Sequence, residues 1–190
     1  MRQWAWASGR ATPAHALHRP WHRCRFEAVD LPGFLSRQAI DVHIATPNMG
    51  VPWGPAARGC RRTRQVLQVH DLFQLTERNR HRSAGAEWFY RHLDRLSIVH
   101  AVRHADAIWV PSRWTAQVLG ELLPGSHHRI RVLANAVPVD AWRAAHPRPA
   151  TAPDHYWLAV GTREPRKNID RLIRAWQGGR VSRTDWPSLV

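Results

Sequence analysis

Apolar and polar positions along the chain follow two periods. In IDVHIA (40–45), Ile40, Val42 and Ile44 alternate with polar neighbours, the spacing of a strand with one apolar face. QVLQV (65–69), AIWVPS (107–112), RIRVL (129–133) and YWLAV (156–160) read as further short strands. Between them the period lengthens to that of a helix. From Ala84 to His104 the residues Phe89, Leu93, Leu96, Val99 and Val102 share one face, with Glu87, Arg91, Asp94 and Arg95 toward solvent. After Ser112, the residues Trp114, Val118 and Leu122 recur at four-residue spacing, and Ile169, Leu172, Ile173 and Trp176 define a last helix that Gly178 and Gly179 end. Strands that alternate with helices predict an α/β protein built on parallel sheets with flanking helices.

Breaks in the pattern divide the chain. Residues 1–38 keep neither period and read as an irregular basic segment. Residues 39–140 carry most of the strand and helix pattern. A Pro- and Ala-rich stretch, 141–154, reads as a linker, and 155–190 hold a single strand, loop and helix before a new apolar strand begins. One strand and one helix cannot bury a core of their own, so the second unit is expected to be incomplete.

Composition adds one strong bias. The 190 residues carry 28 Lys and Arg against 14 acids, a net charge of +14, and Lys167 is the single lysine. Such a surplus suits acidic partners: nucleic acid, anionic lipid head groups or a phosphorylated substrate. An arginine-biased genome is the alternative source, expected to account for much of it. No apolar run approaches the roughly 18 residues that would span a bilayer, and no secretory signal is visible. Two cysteines make no disulfide framework, which points to a reducing, cytoplasmic setting. Cys60 lies among Arg58, Arg61 and Arg62, a setting that could activate a thiol, although an inert one is expected. His15, His18 and His22 have helix-compatible spacing, but Pro20 interrupts it and no acid is near; no metal site is expected.

The stretch from His155 to Trp176 carries the clearest chemistry. A strand, a turn opened by Gly161 and Thr162, and a helix capped at Asn168 form a strand-loop-helix unit. Arg166 and Lys167 precede the helix, where its dipole disfavours cations unless an anion lies between them. A phosphate or diphosphate would reverse that penalty; the plainer reading has both side chains in water. Elsewhere, His70 and Asp71 stand at the carboxyl end of the 65–69 strand, where open parallel sheets hold ligand-handling residues. The pair suits proton transfer or a polar substrate, or Asp71 caps the next turn. Ser112 is placed to cap a helix, with Arg113 in its first turn. The eleven tryptophans, Trp109, Trp157 and Trp176 among them, are assigned mainly to packing.

Taken in order, VHDL (69–72), ADAIWVPSRWTAQVL (105–119), RIRVLANAVPVD (129–140) and LAVGTREPRKNIDRLIRAW (158–176) resemble the retaining glycosyltransferases of family 4, whose members read close to HDL, ADxIxxVSxxS, IxVxPNGVD and VGTxEPRKN. The resemblance spans roughly residues 40–190, the middle part of a full-length member. It implies a GT-B fold of two Rossmann-like domains, a nucleotide-sugar donor held mainly by the second and a glycan or lipid-linked acceptor by the first. On this resemblance His70 and Asp71 lie close to the transferred sugar. Gly161, Thr162, Arg166 and Lys167 hold the donor diphosphate, and Ser112 and Arg113 contact substrate. The nucleotide-sugar is a co-substrate, and no cofactor or metal is implied; no DxD motif is present. Ala136 and Pro138 depart from the NGVD pattern, residues 1–38 lack the usual opening strand and glycine-rich loop, and the family's ExxxxxxxE motif would lie past Val190.

The expected activity is therefore sugar transfer toward a polysaccharide or glycolipid, by this chain or by a longer one of which it is a fragment, in the cytoplasm with peripheral contact at the inner membrane face. The alternatives are a basic RNA- or acidic-surface-binding protein and an inactive gene fragment.

Overall fold

The computed structural model describes residues 20–76, 84–140, 151–161, 167–182 and 187–189, and the chain divides into two compact units between Ala136 and Val137. The first is a four-stranded parallel sheet in the order β1 (Val42–Ala45), β2 (Arg64–Gln68), β3 (Ala107–Val110), β4 (Ile130–Val132). Val42 pairs with Arg64, Val66 with Ala107 and Ile108 with Ile130. Spatial order equals chain order, so no reversal of strand order occurs among these four. This is the expected α/β, Rossmann-like arrangement.

The sheet's middle is its driest part. Leu67 and Val69 from β2 and its end, Ile108 from β3, and Ile98 and Val102 from the helix α4 (Ala84–His104) are all fully buried. Each such side chain contributes about 1.5–3 kcal/mol relative to exposure, enough for this cluster to dominate the unit. The helix has the predicted limits, but of the predicted face Val102 alone is fully buried, with Leu93 and Val99 half-buried. Ile98, Ala101, Val102 and Ala105 face the sheet, while Leu96 is exposed and Phe89 lies near the surface. Apolar residues occupy more than one side of α4, so spacing alone did not select the stripe. The helix α5 (Arg113–Leu122) is rotated likewise: Thr115 and Leu119 are buried, Trp114 is 72% exposed and Leu122 is exposed. In edge strand β1 the expected apolar face is reversed, with Val42 and Ile44 exposed and Ala45 buried.

Two polar devices hold the amino end of the sheet. The Asp106 carboxylate accepts from the Gln65 backbone N–H at 2.7 Å and from Arg64 at 3.0 Å. Arg129 donates to the carbonyls of Val102 (2.9 Å), Arg103 and Ala105, a cation closing the carboxyl end of α4.

Residues 20–37, expected to be irregular, are helical. They comprise α1 (Pro20–Arg25), a π-helical turn (Phe26–Asp30) and α2 (Leu31–Arg37). Pro20 starts the helix rather than breaking it, because a first-turn residue needs no N–H. The π turn has a similar origin. Pro32 has no N–H to give and its ring crowds the carbonyl four residues back, and the ladder widens just before it, so that the Leu31 N–H reaches Phe26 O. The carbonyl of Glu27, five residues before Pro32, then finds no helical donor and accepts from Trp53 N–H at 3.3 Å. Gly54, at φ 77° and ψ −174°, turns the chain there in a conformation open essentially to glycine.

The second unit is small. β5 (Tyr156–Trp157) pairs in parallel with β6 (Ser188–Leu189), and α6 spans Ile169–Ser182. The buried strand expected over 156–160 is two residues long and exposed; Leu158 is 65% and Val160 86% exposed. A sheet of two strands offers too little surface to cover them. Trp157 is likewise exposed, not core, whereas Trp109 and Trp176 are half-buried. Nor does α6 end at Gly178. It continues to Ser182, its later turns held by Arg180 over the Trp176 ring at 5.5 Å and by Trp176 Nε1 donating to Pro187 O at 2.8 Å. These contacts offset the roughly 1 kcal/mol cost of each interior glycine.

Glu27 gives the helix a pH-dependent stability. Burial raises its pKa to about 7, against the opposing pull of Arg23 and a bond from Trp53, with Asp94 adding to the rise. The folded chain thus holds a proton that the unfolded chain, near the ordinary 4.5, has released. Stability from this group is full below pH 4.5 and is lost as pH climbs through 7, on the order of 3 kcal/mol in all. Glu27→Gln should match the parent near pH 4.5 and exceed it in stability at pH 8, as read from urea midpoints at the two pH values.

Candidate functional site

Because the four strands are parallel, their carboxyl ends share one edge of the sheet, and the loops that leave them converge there. Asn48, in the loop after β1, is buried at 7% exposure. Its Oδ1 accepts from the His70 backbone N–H at 2.8 Å, and its Nδ2 donates to Asp71 O at 2.9 Å and to Gln74 Oε1 at 3.2 Å. One amide side chain thereby fixes the backbone on both sides of His70. The imidazole of His70 is left exposed, and Asp71 is half-buried. Asp71 Oδ1 is buried and has no hydrogen-bond partner among the described residues. The short helix α3 (Phe73–Thr76) closes on Leu72 O, which accepts from the Leu75 and Thr76 N–H groups.

After the neighbouring β3, Ser112 is extended (φ −148°) and its Oγ accepts from Thr115 N–H at 3.1 Å, the predicted cap. Arg113, exposed, is the first residue of α5. His70, Asp71, Ser112 and Arg113 therefore stand on one edge, at the ends of adjacent strands, although no bond links one pair to the other among the described residues. Asn48 was missed by sequence reasoning. Its signal was a lone Asn between Pro47 and Gly50, which reads as turn chemistry until the partner backbone is known.

In the second unit, Gly161 and Lys167 are described and exposed, whereas Thr162 and Arg166 lie outside the described residues. A Cβ at Gly161 would stand 3.3 Å from Ile169 Cδ1, so the small residue lets the loop pass close to the first turn of α6. Asn168 starts that helix differently from the expected side-chain cap. It takes a left-handed backbone (φ 52°), which Asn tolerates, and its carbonyl accepts from Arg171 and Leu172 N–H. Cys60 is no reactive thiol: it is buried, donates to Ala57 O at 3.3 Å, and burial pushes its pKa up.

Asn48→Ala should leave the His70 N–H and Asp71 carbonyl without partners in a buried place. The expected loss is about 1–3 kcal/mol of unfolding free energy, measured by urea titration, with amide shift changes at His70 and Asp71 exceeding those at the β4 edge.

No curated protein matches the chain. Among protein families, the model for Glycosyltransferase Family 4 matches residues 6–141, which takes in the four-stranded sheet of the first unit, the helix over 20–37 and all four carboxyl-edge residues. The match begins well before residue 40, where the motif resemblance began, and its extent over most of the chain decides the assignment. The protein belongs to glycosyltransferase family 4, a family of glycosyl transfer.

Proposed function

We propose that this chain carries the machinery of a retaining glycosyltransferase that moves a sugar from a nucleotide-sugar to a polysaccharide or glycolipid acceptor. The observation that carries the reading is the carboxyl edge of the sheet, where Asn48 holds the His70–Asp71 backbone from both sides while Asp71 Oδ1 is a buried acceptor without a partner among the described residues. An orphan acceptor beside an exposed imidazole suits a hydroxyl-rich ligand, since a sugar hydroxyl supplies the missing donor. His70 then lies against the transferred sugar, and Ser112 and Arg113 extend the same edge toward acceptor or donor.

The donor diphosphate is assigned to the second unit. Lys167, beside Arg166 in sequence, precedes α6, whose first-turn amides and dipole favour an anion. Negative charge builds on the diphosphate as the glycosidic bond breaks, and fixed cations there stabilise the transition state more than the ground state. These cations supply that charge from the protein, with the nucleotide-sugar as co-substrate and no resident cofactor. Among the described residues no helix is long and apolar enough to cross a membrane. The +14 charge suits peripheral contact with an anionic leaflet, where lipid-linked acceptors are presented.

Titration of the chain with UDP-glucose and GDP-mannose tests the donor site. Arg166→Ala with Lys167→Ala should weaken whichever donor binds by at least about tenfold, and His70→Ala should lower sugar transfer by roughly a hundredfold with donor affinity little changed. If neither donor binds while RNA binds with a steep salt dependence, the basic-binding reading replaces this one.

A further inference from the structure

Away from the carboxyl edge, a cavity of about 410 Å³ opens between the helical segment Pro20–Asp30 and α4. Its walls include Trp21, Trp53, Leu93 and Leu96, with His100 and Glu27 deeper in. It shares Trp53 and His100 with a second cavity, whose lining includes Arg58 and Arg61 and, at the amino end of β2 and β3, Thr63, Gln65 and Asp106. The space is thus removed from the edge that bears His70 and Ser112. It is of a size for a small organic molecule.

Its charge sets it apart. The chain carries twice as many basic as acidic residues, yet among the described residues the one Asp, Glu, Lys or Arg lining this cavity is Glu27, whose side chain is only 5% exposed. Arg23 does not neutralise it fully. The guanidinium is bonded to Asp94 at 2.9 Å, while its Nε, 4.0 Å from Glu27 Oε1, has no hydrogen-bond partner among the described residues. Two carboxylates therefore share one guanidinium, and the less well paired of them faces the cavity. Among the described residues the remaining titratable groups lining the cavity are Cys24, on the same helix, and His100, on α4. Burial lowers the pKa of His100, so the imidazole is neutral near pH 7 and does not compete as a cation. Trp21 and Trp53 offer the aromatic surface that cations favour.

We propose that this cavity binds a small cationic amphiphile, a primary ammonium on an aromatic or alkyl body. The ammonium pairs with the Glu27 carboxylate as the charge partner the fold leaves out, and the apolar body lies between the indoles and Leu93 and Leu96. The geometry also explains selectivity: a carboxylate on the same body meets Glu27 with like charge, and an alcohol gains only an uncharged bond. Binding draws on the ionised form of Glu27, whose pKa in the empty protein is about 7. Affinity for an amine therefore rises with pH between 6 and 8, by roughly tenfold, while the amine stays protonated throughout.

Calorimetric titration of the full chain with phenethylamine, phenethyl alcohol and phenylacetate at pH 6 and pH 8 tests this. The expected result is a preference for the amine of at least about tenfold at pH 8, shrinking at pH 6, with phenylacetate weakest. Glu27→Gln, which removes the charge without removing volume, should bind amine and alcohol alike with no pH dependence. Leu96→Arg, at a residue 68% exposed and so harmless to folding, should weaken the amine selectively. No preference for the amine in the parent chain, an unchanged preference in Glu27→Gln, or no binding of any probe at millimolar concentration would overturn the proposal. The donor titration of Arg166 and Lys167 variants is unaffected by any of these outcomes.

Discussion

Parallel strands can lie side by side only if each connection travels back across a face of the sheet, and that constraint organises the first unit. Helix α4 is the long return between β2 and β3, and its Ile98, Ala101 and Val102 close the sheet's centre. Once the returns are covered, the carboxyl ends have nowhere to go but one edge. The loops after β1, β2 and β3 then deliver Asn48, His70 with Asp71, and Ser112 with Arg113 to neighbouring places. The site follows from the direction of the strands, not from any attraction among its residues. This is why a single buried amide matters: Asn48 links two otherwise independent loops, replacing with side-chain bonds the ladder contacts that end with β1 at Ala45.

The two edges of the sheet use polar groups differently. At the amino end, Asp106 accepts from the Gln65 N–H and Arg129 donates to carbonyls at the end of α4, which rigidifies the frame. At the carboxyl end, satisfaction is partial. Asn48 is saturated, yet Asp71 keeps a buried oxygen without a donor among the described residues. Leaving an acceptor unpaired costs on the order of 1–3 kcal/mol, a cost that structural roles do not require and that a hydroxyl-bearing ligand would recover.

Element order and type were legible because they depend on local period and on breakers: the limits of α4, the short strands over 65–69 and 107–112, and the Ser112 cap stand close to their predicted places. Faces were less legible. Trp114, Leu96 and Val42 are apolar by composition but point outward, since which side of an element is buried depends on what packs there, and spacing alone offered α4 several stripes. The second unit shows the same limit from the other side. Leu158 and Val160 have the sequence of buried strand residues, and a two-stranded sheet gives them little to lie against. Of the site, the carboxyl-edge residues were readable because strand ends are readable, and Asn48 was not, because its role is fixed by backbone twenty-two residues away.

The helix over 20–37 was hidden by its prolines and explained by one of them. Proline is usually scored as an interruption, yet Pro32 removes one donor and so moves the consequence five residues upstream, to the carbonyl of Glu27. That freed acceptor recruits Trp53, Gly54 permits the turn, and the indole becomes a wall of a cavity whose floor holds the Glu27 carboxyl. Backbone and side chain of one residue thus play opposite parts. The carbonyl anchors the loop that builds the cavity, and the carboxyl, desolvated by that same loop and helix, carries the charge a ligand would answer. Neither part is visible in a periodicity scan, because both arise from a hydrogen bond that proline prevents.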